Sequence, residues 1–334
     1  MAKNNDIEIR DDEYTEDIIR KSKKKKFHIY RGDDKRLNVT KIPFDIPQLD
    51  KVLGGGLPLG RTTLVVGNFG AGKTFFGQLS IANFQRYNLT AAYVDVERRF
   101  EPNWFRSSGI DINKLFVAQP NSGENALDIC AFLVEEKFGL VVLDSVAALA
   151  PTAELEGTME DFTVAALARL FNKGLRKVTT ENIADEDLVY KGTAFVVVNQ
   201  IRSGIGPFTS YALPGGSGQQ YFTSILLRVM KGSYIEKDDK KIGFNMKFHT
   251  DKNNLTEWPQ ECSLPFLFTG KIDTIGGLVE LALDVGVIKQ AGPFYYFPWQ
   301  TDKKIQGKQA LIEHLKDDSK LFEEVKKRIY ESEQ

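Results

Sequence analysis

The fold is decided by one stretch, Leu64-Val65-Val66-Gly67-Asn68-Phe69-Gly70-Ala71-Gly72-Lys73-Thr74. A short apolar run leads into a glycine loop of the form GxxxxGK followed by Ser or Thr, and a helix-like segment begins at Phe75. A phosphate-binding P-loop requires this context, because the glycines let backbone N–H groups approach phosphate oxygens. The following helix turns its positive N-terminal end towards the same anion. Residues 67–74 are therefore predicted to bind a nucleotide.

Two residues at the end of this loop are expected to carry the phosphate chemistry. Lys73 would neutralise the β- and γ-phosphates of a nucleoside triphosphate, and the Thr74 hydroxyl would hold Mg²⁺. A chance glycine turn is the alternative interpretation, but the strand, the loop, the Lys-Thr pair and the helix all agree with one another. The stretch therefore predicts a bound triphosphate with Mg²⁺.

Length and composition limit the class of protein. At 334 residues the chain can bury one substantial core and a small second domain. A net charge of −1 means that nucleic-acid binding would need a local basic patch. The two cysteines fit a reducing compartment, the three histidines form no zinc motif, and no apolar run is long enough to span a membrane. We therefore expect a soluble cytoplasmic protein without a membrane partner.

Apolar, strand-like runs alternate with helix-like segments along the middle of the chain. Strand patterns cover residues 64–66, 90–97, 115–118, 140–145 and 193–199, and helical patterns cover residues 125–137 and 161–177. This alternation predicts an α/β fold with a central, mostly parallel sheet flanked by helices. Ligands of such sheets bind beyond the carboxyl ends of the strands, where the P-loop, Glu97, Asp144 and Gln200 all lie.

The two ends of the chain differ from this middle part. Residues 12–25 are predicted to form a helix with a narrow apolar stripe of Tyr14 and Ile18, which could dock on another subunit. The lysine run that ends this helix is interpreted as a solvated face, with contact to DNA or a partner as the alternative. The pattern becomes that of an antiparallel edge after residue 221, and short helices predominate from about residue 272.

Three residues beyond the P-loop are candidates for the nucleotide chemistry. Asp144 ends an apolar run, as does the Walker-B carboxylate that holds Mg²⁺. Glu97 ends the preceding strand pattern, where a carboxylate can orient and deprotonate the attacking water; a surface acid paired with Arg98 or Arg99 is the alternative. Gln200 lies just past a buried strand and could hydrogen-bond a γ-phosphate oxygen, which would distinguish ATP from ADP.

One helical segment carries a basic face. Its apolar stripe predicts burial on one side, while Arg169, Lys173, Arg176 and Lys177 share another side. Taken alone, these four cations are best interpreted as a solvated surface. Their position shortly after Asp144 leaves contact with a nucleic-acid backbone as the second interpretation.

A long loop rich in glycine, proline and serine follows Gln200 directly, over residues 201–218. Long loops inside compact domains are usually functional. Arg202 could contact phosphates, and Phe208 and Tyr211 could insert between the bases of a single strand. We expect nucleotide binding at Gln200 to order this loop and so to create a DNA site.

With these residues in place, the chain resembles the bacterial RecA family of homologous recombinases, from about residue 42 to residue 329. The resemblance is carried by the P-loop and by segments 55–61, 94–97, 142–149, 154–157, 199–202, 286–292 and 306–308. So many matches in the same order are far more specific than a P-loop alone.

The resemblance implies an enzyme that polymerises as a helical filament on single-stranded DNA and pairs it with homologous double-stranded DNA. ATP, bound with Mg²⁺, would lie between the subunits, and its hydrolysis would depend on DNA. The implied organisation is an N-terminal docking helix and linker over residues 1–37, a RecA-like ATPase core over 38–271 and a small α/β C-terminal domain over 272–334.

The resemblance also implies roles for single residues. It makes Lys73, Glu97 and Gln200 catalytic, with Gln200 as the γ-phosphate switch, and it places Glu101 and Trp104 against adenine. Two DNA-binding loops are expected, over residues 157–164 and 202–218. The residues expected to contact DNA are Val164, Arg169, Arg176, Arg202, Ser203, Gly204, Ile205, Gly206, Phe208, Tyr211, Gly215 and Gly216.

The chain departs from the family pattern in three places. The second loop is about two residues shorter and has Ser203-Gly204 where a longer apolar and a basic side chain are usual. An extra segment covers residues 180–191. The pair of lysines with which the family reaches ATP in the adjacent subunit has no clean match: Lys252 lies near the place, and its partner position is not basic.

Two other functions remain open from the sequence. The incomplete lysine pair also fits a single-strand DNA coat protein that binds ATP and hardly hydrolyses it. A hexameric helicase or another motor ATPase could be built on the same core. Phosphate release stimulated by DNA would separate the recombinase from the coat protein, and an electron micrograph would separate a filament from a ring.

Overall fold

The computed structural model describes residues 12–25, 27, 29–157, 165–182, 192–202, 212–257 and 260–332. The chain divides into two compact units, and the boundary falls between Val39 and Thr40. Within the described ranges, no helix combines the length and the apolar character that crossing a membrane demands.

The described part of the first unit is organised around helix α1 (Asp12–Lys24). This helix confirms the one predicted over residues 12–25, and lysines fill its last turn as the helix dipole favours. Ile18, Phe27 and Ile29 are exposed and line a shallow apolar depression. An exposed apolar patch on so small a unit is typical of an interaction surface.

In the described residues the second unit has fourteen strands, most of which belong to one large sheet. The fourteen strands are β1 (Lys41–Ile42), β2 (Leu57–Pro58), β3 (Thr62–Gly67), β4 (Ala91–Asp95), β5 (Leu115–Ala118), β6 (Leu140–Asp144), β7 (Ala194–Gln200), β8 (Ile225–Lys237), β9 (Lys240–Asn253), β10 (Glu261–Leu267), β11 (Lys271–Ile272), β12 (Lys289–Ala291), β13 (Phe294–Phe297) and β14 (Gln300–Gln306). Among the described residues, nine strands form one sheet in the order β11-β10-β9-β8-β3-β7-β6-β4-β5. Pairing is parallel from β5 to β8 and antiparallel from β8 to β11, which confirms the predicted arrangement.

Helices pack against both faces of this sheet. The helices of the second unit are α2 (Pro47–Leu53), α3 (Lys73–Arg86), α4 (Pro102–Ser107), α5 (Gly123–Glu135), α6 (Thr152–Glu156), α7 (Ala166–Glu181), α8 (Gln219–Phe222), α9 (Thr274–Asp284), α10 (Lys308–Asp317) and α11 (Ser319–Ser332). In β3, Val65 belongs to the apolar cluster of α2 and α3, while Leu64 and Val66 belong to that of α5 and α7. The strands are continuous apolar runs because both faces of the sheet are buried.

The last sixty residues have an apolar cluster of their own. It joins α9, α10 and α11 to the small antiparallel sheet of β12, β13 and β14. The short helices predicted from about residue 272 include α10 and α11, each of which buries one apolar face. The three strands between α9 and α10 were not predicted. Their runs are short and lie between glycine and proline residues, so the sequence shows no strand pattern there.

Several strand bounds differ from those predicted, and β7 includes Gln200, which was expected just past the strand. β8 begins at Ile225 rather than at Tyr221, because residues 219–222 form the short helix α8. β4 ends at Asp95, so Glu97 lies in the turn beyond the strand and not at its end. This turn, rather than the pleat of the strand, sets the direction of the Glu97 side chain.

The bounds of two helices also differ at both ends. α5 begins two residues earlier than predicted, because the Ser122 hydroxyl caps it by accepting the backbone N–H of Asn125. α7 runs from Ala166 to Glu181, whereas the prediction covered residues 161–177. The predicted start of that helix falls in residues 158–164, which lie outside the described residues.

Candidate nucleotide-binding site

The glycine loop between β3 and α3 leaves no room for side chains at two positions. A Cβ atom on Gly67 would collide with the carbonyl oxygen of Val229, and one on Gly72 would collide with the Met246 side chain. Gly72, which precedes α3, also has a φ of 99°, in the left-handed region that favours glycine. The loop therefore carries no side chain at these two positions. It lies at the N-terminus of a long helix, where an anion is stabilised.

Lys73 reaches back across this loop. Its Nζ donates a hydrogen bond of 2.8 Å to the carbonyl oxygen of Asn68, and its side chain is largely buried. Burial lowers the pKa of Lys73, while the carboxylates of Asp144 and Glu97 act in the opposite direction. An ammonium group with so little water around it gains most from an anion placed beside it, so its position fits a phosphate ligand.

Asp144 ends β6 as a buried carboxylate. The Tyr93 hydroxyl donates to it at 3.1 Å, and the Thr74 hydroxyl hydrogen-bonds it as well. Burial raises the pKa of Asp144 to about 6, and the charge of Glu97 adds to the rise. Hydroxyl and carboxylate oxygens are the ligands that Mg²⁺ prefers, so the residues present fit this ion. No cluster of three His, Cys, Asp or Glu side chains in the described ranges could hold a metal ion.

Glu97 is held at both of its carboxylate oxygens. The Ser145 hydroxyl donates to Oε1 at 2.8 Å, and Nη1 of Arg99 lies 2.9 Å from Oε2. Arg98 turns away and donates to the side chain of Asn121 at 2.8 Å. Glu97 was interpreted either as the carboxylate for the attacking water or as an acid paired with an arginine. The structure fits both, because Glu97 is paired with Arg99 and also lines a cleft.

These groups meet in one cleft of about 260 Å³ at the carboxyl ends of the parallel strands. The predicted site residues that line it are Phe69, Gly70, Gly72, Lys73, Thr74, Glu97, Trp104, Asp144 and Gln200. Gly67, Asn68 and Ala71 belong to the same loop but are not among the residues that line the cleft. The Glu101 carboxylate caps α4 and accepts the backbone N–H of Trp104 at 2.6 Å, so a contact with adenine would have to share it.

Several lining residues were not predicted. They are Phe75, Arg99, Ser145, Val198, Phe244 and Phe266. Ser145 is the neighbour of Asp144 and could have been inferred from that position. Phe244 and Phe266 come from β9 and β10, far along the chain, and no local pattern distinguishes them from core residues.

Strand β7 leads from this cleft to the base of the second loop. We call the backbone pair of Arg202 and Ala212, which closes this base, the neck. Arg202 and Ala212 exchange two backbone hydrogen bonds of 2.9 Å. The buried Asn199 amide donates to the carbonyl oxygen of Pro214 at 2.8 Å and to Oε1 of the buried Gln219 at 2.9 Å. The base of the second loop is therefore tied to the last residues of β7.

The residues predicted to contact DNA fall into three groups. Arg202 is exposed at the neck, and Gly215 and Gly216 follow it with φ values of 80° and 75°. Arg169 and Arg176 lie on the exposed face of α7, whose other face is buried against the sheet. The remaining predicted contacts lie outside the described residues: Val164, Ser203, Gly204, Ile205, Gly206, Phe208 and Tyr211.

Lys252, which lies near the place of a trans-acting lysine of the family, forms hydrogen bonds within its own chain. Its Nζ donates to the carbonyl oxygens of Gln220 at 2.8 Å and Thr223 at 2.7 Å. Burial lowers the pKa of Lys252. To reach a nucleotide in another subunit, this side chain would first have to release both carbonyl groups.

Comparison with known proteins identifies the family. A family model described as the RecA N-terminal domain matches residues 13–273. Protein RecA of Thermus aquaticus is 34% identical over 305 residues, which cover 90% of this chain and 87% of that protein. Protein RecA of Chlorobaculum tepidum is 35% identical over 305 residues, which cover 89% of this chain and 85% of that protein. Protein RecA of Bifidobacterium longum is 33% identical over 302 residues, which cover 89% of this chain and 74% of that protein. The P-loop fold and these matches agree, and the chain belongs to the RecA family.

Proposed function

We propose that this chain is an ATP-dependent recombinase of the cytoplasm. It polymerises on single-stranded DNA, pairs it with homologous duplex and exchanges the strands, and DNA stimulates its hydrolysis of ATP. One observation carries the proposal: Gln200, in the nucleotide cleft, is separated by a single residue from the neck of the loop that is expected to bind DNA. The RecA relatives support the same function.

Hydrolysis would divide the work among the side chains of the cleft. Lys73 and the N–H groups of the loop hold the β- and γ-phosphates. Thr74 and Asp144 would hold Mg²⁺, which supplies positive charge next to the phosphates. The Glu97 carboxylate orients a water molecule towards the γ-phosphorus and accepts its proton.

Coupling to DNA would pass through the last two residues of β7. The Gln200 amide hydrogen-bonds a γ-phosphate oxygen, while Asn199 holds Pro214 at the base of the loop. A triphosphate would thereby favour one position of the loop base, and ADP would release it. Affinity for single-stranded DNA should then depend on which nucleotide is bound.

Assembly would use both ends of the chain. Residues 1–37 would dock on a neighbouring subunit through the exposed Ile18, Phe27 and Ile29, and the core of residues 38–271 would hold ATP at the subunit interface. The apolar cluster of α9, α10 and α11 makes residues 272–334 a small separate domain in this proposal. Repetition of the same contact would give an open helical filament.

A joint-molecule assay tests the function. Single-stranded DNA is mixed with a homologous or a non-homologous duplex, with ATP, with ADP or without nucleotide. The proposal requires joint molecules only with the homologous duplex and ATP. Joint molecules in the absence of nucleotide, or none under any condition, would contradict it.

The second candidate is an ATP-binding coat protein for single-stranded DNA with little hydrolysis. The in-chain hydrogen bonds of Lys252 favour it, because they occupy the cation expected to act on the adjacent nucleotide. Release of phosphate in the presence of single-stranded DNA separates the candidates. A recombinase of this family should release phosphate steadily, and a coat protein should bind ATP without doing so.

A further inference from the structure

One cation in the nucleotide cleft has no part in the hydrolysis described above. Arg99 lines this cleft and also an adjoining depression of about 410 Å³, which it shares with Glu97, Gln200 and Arg202. Among the described residues that line the nucleotide cleft, Lys73 and Arg99 are the cations. A triphosphate brings far more negative charge than one ammonium group can neutralise, so the position of a second cation is informative.

The backbone that carries Arg99 is fixed. The Asp95 carboxylate accepts the backbone N–H of Arg99 at 3.1 Å and that of Phe100 at 2.9 Å. It also accepts the side-chain amide of Gln119 at 3.1 Å, which ties the turn to the segment after β5. The turn sends Arg98 towards Asn121 and Arg99 towards the cleft. The direction of Arg99 is therefore built into the turn.

Arg99 can leave its partner Glu97 with little loss of stability. Its guanidinium lies 2.9 Å from Glu97, but the Arg99 side chain is 72% exposed, and exposed ion pairs contribute little to stability. A phosphate is a better partner, because a planar guanidinium can donate two parallel hydrogen bonds to its oxygens. Glu97 would keep its hydrogen bond from Ser145 after Arg99 had moved.

We propose that Arg99 is a catalytic residue that binds the γ-phosphate from within the same chain. Without nucleotide it pairs with Glu97, and with a triphosphate it turns to the γ-phosphate oxygens and leaves the Glu97 carboxylate to the attacking water. This inference rests on the proposed function, because it names a further residue for the same hydrolysis. It supplies a cation within one subunit, in a chain where the trans-acting lysine pair of the family has no clean match.

The chemical step is balanced with these groups. The water oxygen forms a bond to the γ-phosphorus, the bond from that phosphorus to the β,γ-bridging oxygen breaks, and the bond electrons remain on the β-phosphate of ADP. The water proton passes to Glu97 and is later returned to solvent. Arg99 neither gains nor loses a proton; it stabilises the charge on the γ-phosphate oxygens, as an arginine supplied in cis does in other phosphoryl-transfer enzymes.

The test compares nucleotide binding with turnover in Arg99→Ala and Arg99→Lys. Affinities for ADP and for a non-hydrolysable triphosphate analogue are measured by titration, and phosphate release is measured with single-stranded DNA. Arg99→Ala should lose roughly tenfold in affinity for the triphosphate analogue, keep its affinity for ADP, and lose roughly 100-fold or more in turnover. Arg99→Lys should regain the binding but only part of the turnover, because it lacks the planar fork.

The matched control is Arg106→Ala, an exposed arginine on α4 that hydrogen-bonds Asn103. It should behave as the wild type in every measurement. Equal losses of triphosphate and ADP affinity in Arg99→Ala, or turnover at or above the wild-type level, would overturn the role of Arg99. So would a wild type that binds the two nucleotides equally.

The outcomes separate this inference from the proposed function. If the wild type prefers the triphosphate through Arg99 and hydrolyses it but forms no joint molecules, the recombinase proposal fails and Arg99 keeps its role. If joint molecules form and Arg99→Ala matches the wild type in preference and turnover, only the role of Arg99 fails.

Discussion

At the scale of single residues, the cleft holds charges with little water around them. Burial lowers the pKa of Lys73 and raises that of Asp144 to about 6, so each group is pushed towards its neutral form. A bound triphosphate would favour the charged form of Lys73, and a bound cation would favour that of Asp144. We infer that ligand binding would relieve the unfavourable burial of these two charges, and that this relief would add to the free energy of binding.

Lys73→Ala should abolish ATP-dependent filament assembly. The variant loses the buried ammonium group beside the phosphates, so its affinity for ATP should fall at least roughly tenfold. Assembly on single-stranded DNA is followed by electron microscopy with ATP. Lys114→Ala, at an exposed lysine outside the cleft, is the control and should assemble normally. Filaments of normal length in Lys73→Ala would be incompatible with the proposed role.

Glu97→Ala should separate binding from turnover. Without a carboxylate to receive the proton of water, phosphate release should slow by roughly 100-fold or more, while DNA remains bound in the presence of ATP. Phosphate release and DNA anisotropy, measured on the same sample, check both parts. Normal turnover in this variant would remove Glu97 from its role.

The residues of the cleft differ in how far the sequence can predict them. Lys73, Thr74 and Asp144 follow from short patterns, because a phosphate loop and a strand tip are local structures. Arg99 was noted only as a surface partner of Glu97, since nothing local shows that the turn after β4 is fixed by Asp95. Phe266 reaches the cleft through strand pairing far along the chain, which no local pattern specifies.

At the scale of elements, strand β7 and the short helix α8 form one buried polar joint. The Gln219 amide accepts a hydrogen bond from Asn199 and donates to the carbonyl oxygens of Pro214 and Gly216. Buried amides of this kind specify one arrangement when all partners are present. The helix pattern of residues 219–222 was not predicted, because four residues are too few for a periodicity to show.

Gln219→Leu should uncouple DNA binding from the nucleotide. Leucine has a similar size but cannot hydrogen-bond Asn199, so the loop base would no longer follow β7. We expect unchanged ATP affinity and a loss of roughly five- to tenfold in the ATP-dependent gain of single-strand affinity. Fluorescence anisotropy with labelled DNA measures this gain with ATP and with ADP. Gln220→Leu is the neighbouring control, and an unchanged gain in Gln219→Leu would contradict the coupling.

A second joint fastens α11 to the core through a buried carboxyl group. Asp50 of α2 accepts the backbone N–H of Phe44 at 2.6 Å and the Tyr330 hydroxyl at 3.1 Å. Burial raises the pKa of Asp50 to about 6 from an ordinary value of 3.8, and the charge of Asp45 adds to the rise. A pKa raised by folding means that the contribution to stability is present at low pH and is lost as the pH rises through about 6.

Asp50→Asn should therefore gain stability relative to the wild type as the pH rises. The full pKa shift corresponds to about 3 kcal/mol, of which roughly 1 kcal/mol falls between pH 5 and pH 8. Urea unfolding of both proteins at these two pH values gives the difference. If the variant and the wild type changed in parallel between pH 5 and pH 8, the carboxyl group would not titrate as described.

At the scale of the whole molecule, the described residues of the first unit expose apolar side chains that are typical of an interface. Ile18→Asp together with Phe27→Ser should prevent filament assembly without lowering the melting temperature, because both side chains are already exposed. Sedimentation with DNA and ATP measures assembly. Arg20→Ala, whose side chain is exposed beside Asp17, is the control. Normal assembly of the double variant would exclude this surface as the docking site.

The parallel sheet places neighbouring amides on opposite sides of one central strand. Successive side chains of β7 alternate, so Asn199 faces the α5 and α7 side with Gln219, and Gln200 faces the nucleotide cleft. Deleting or inserting one residue inside β7 would exchange the surroundings of these amides. It would remove both the proposed γ-phosphate contact of Gln200 and the contact of Asn199 with the loop base. A change in the number of residues between Arg202 and Ala212 would leave this alternation intact, whereas strand β7 must keep its number of residues.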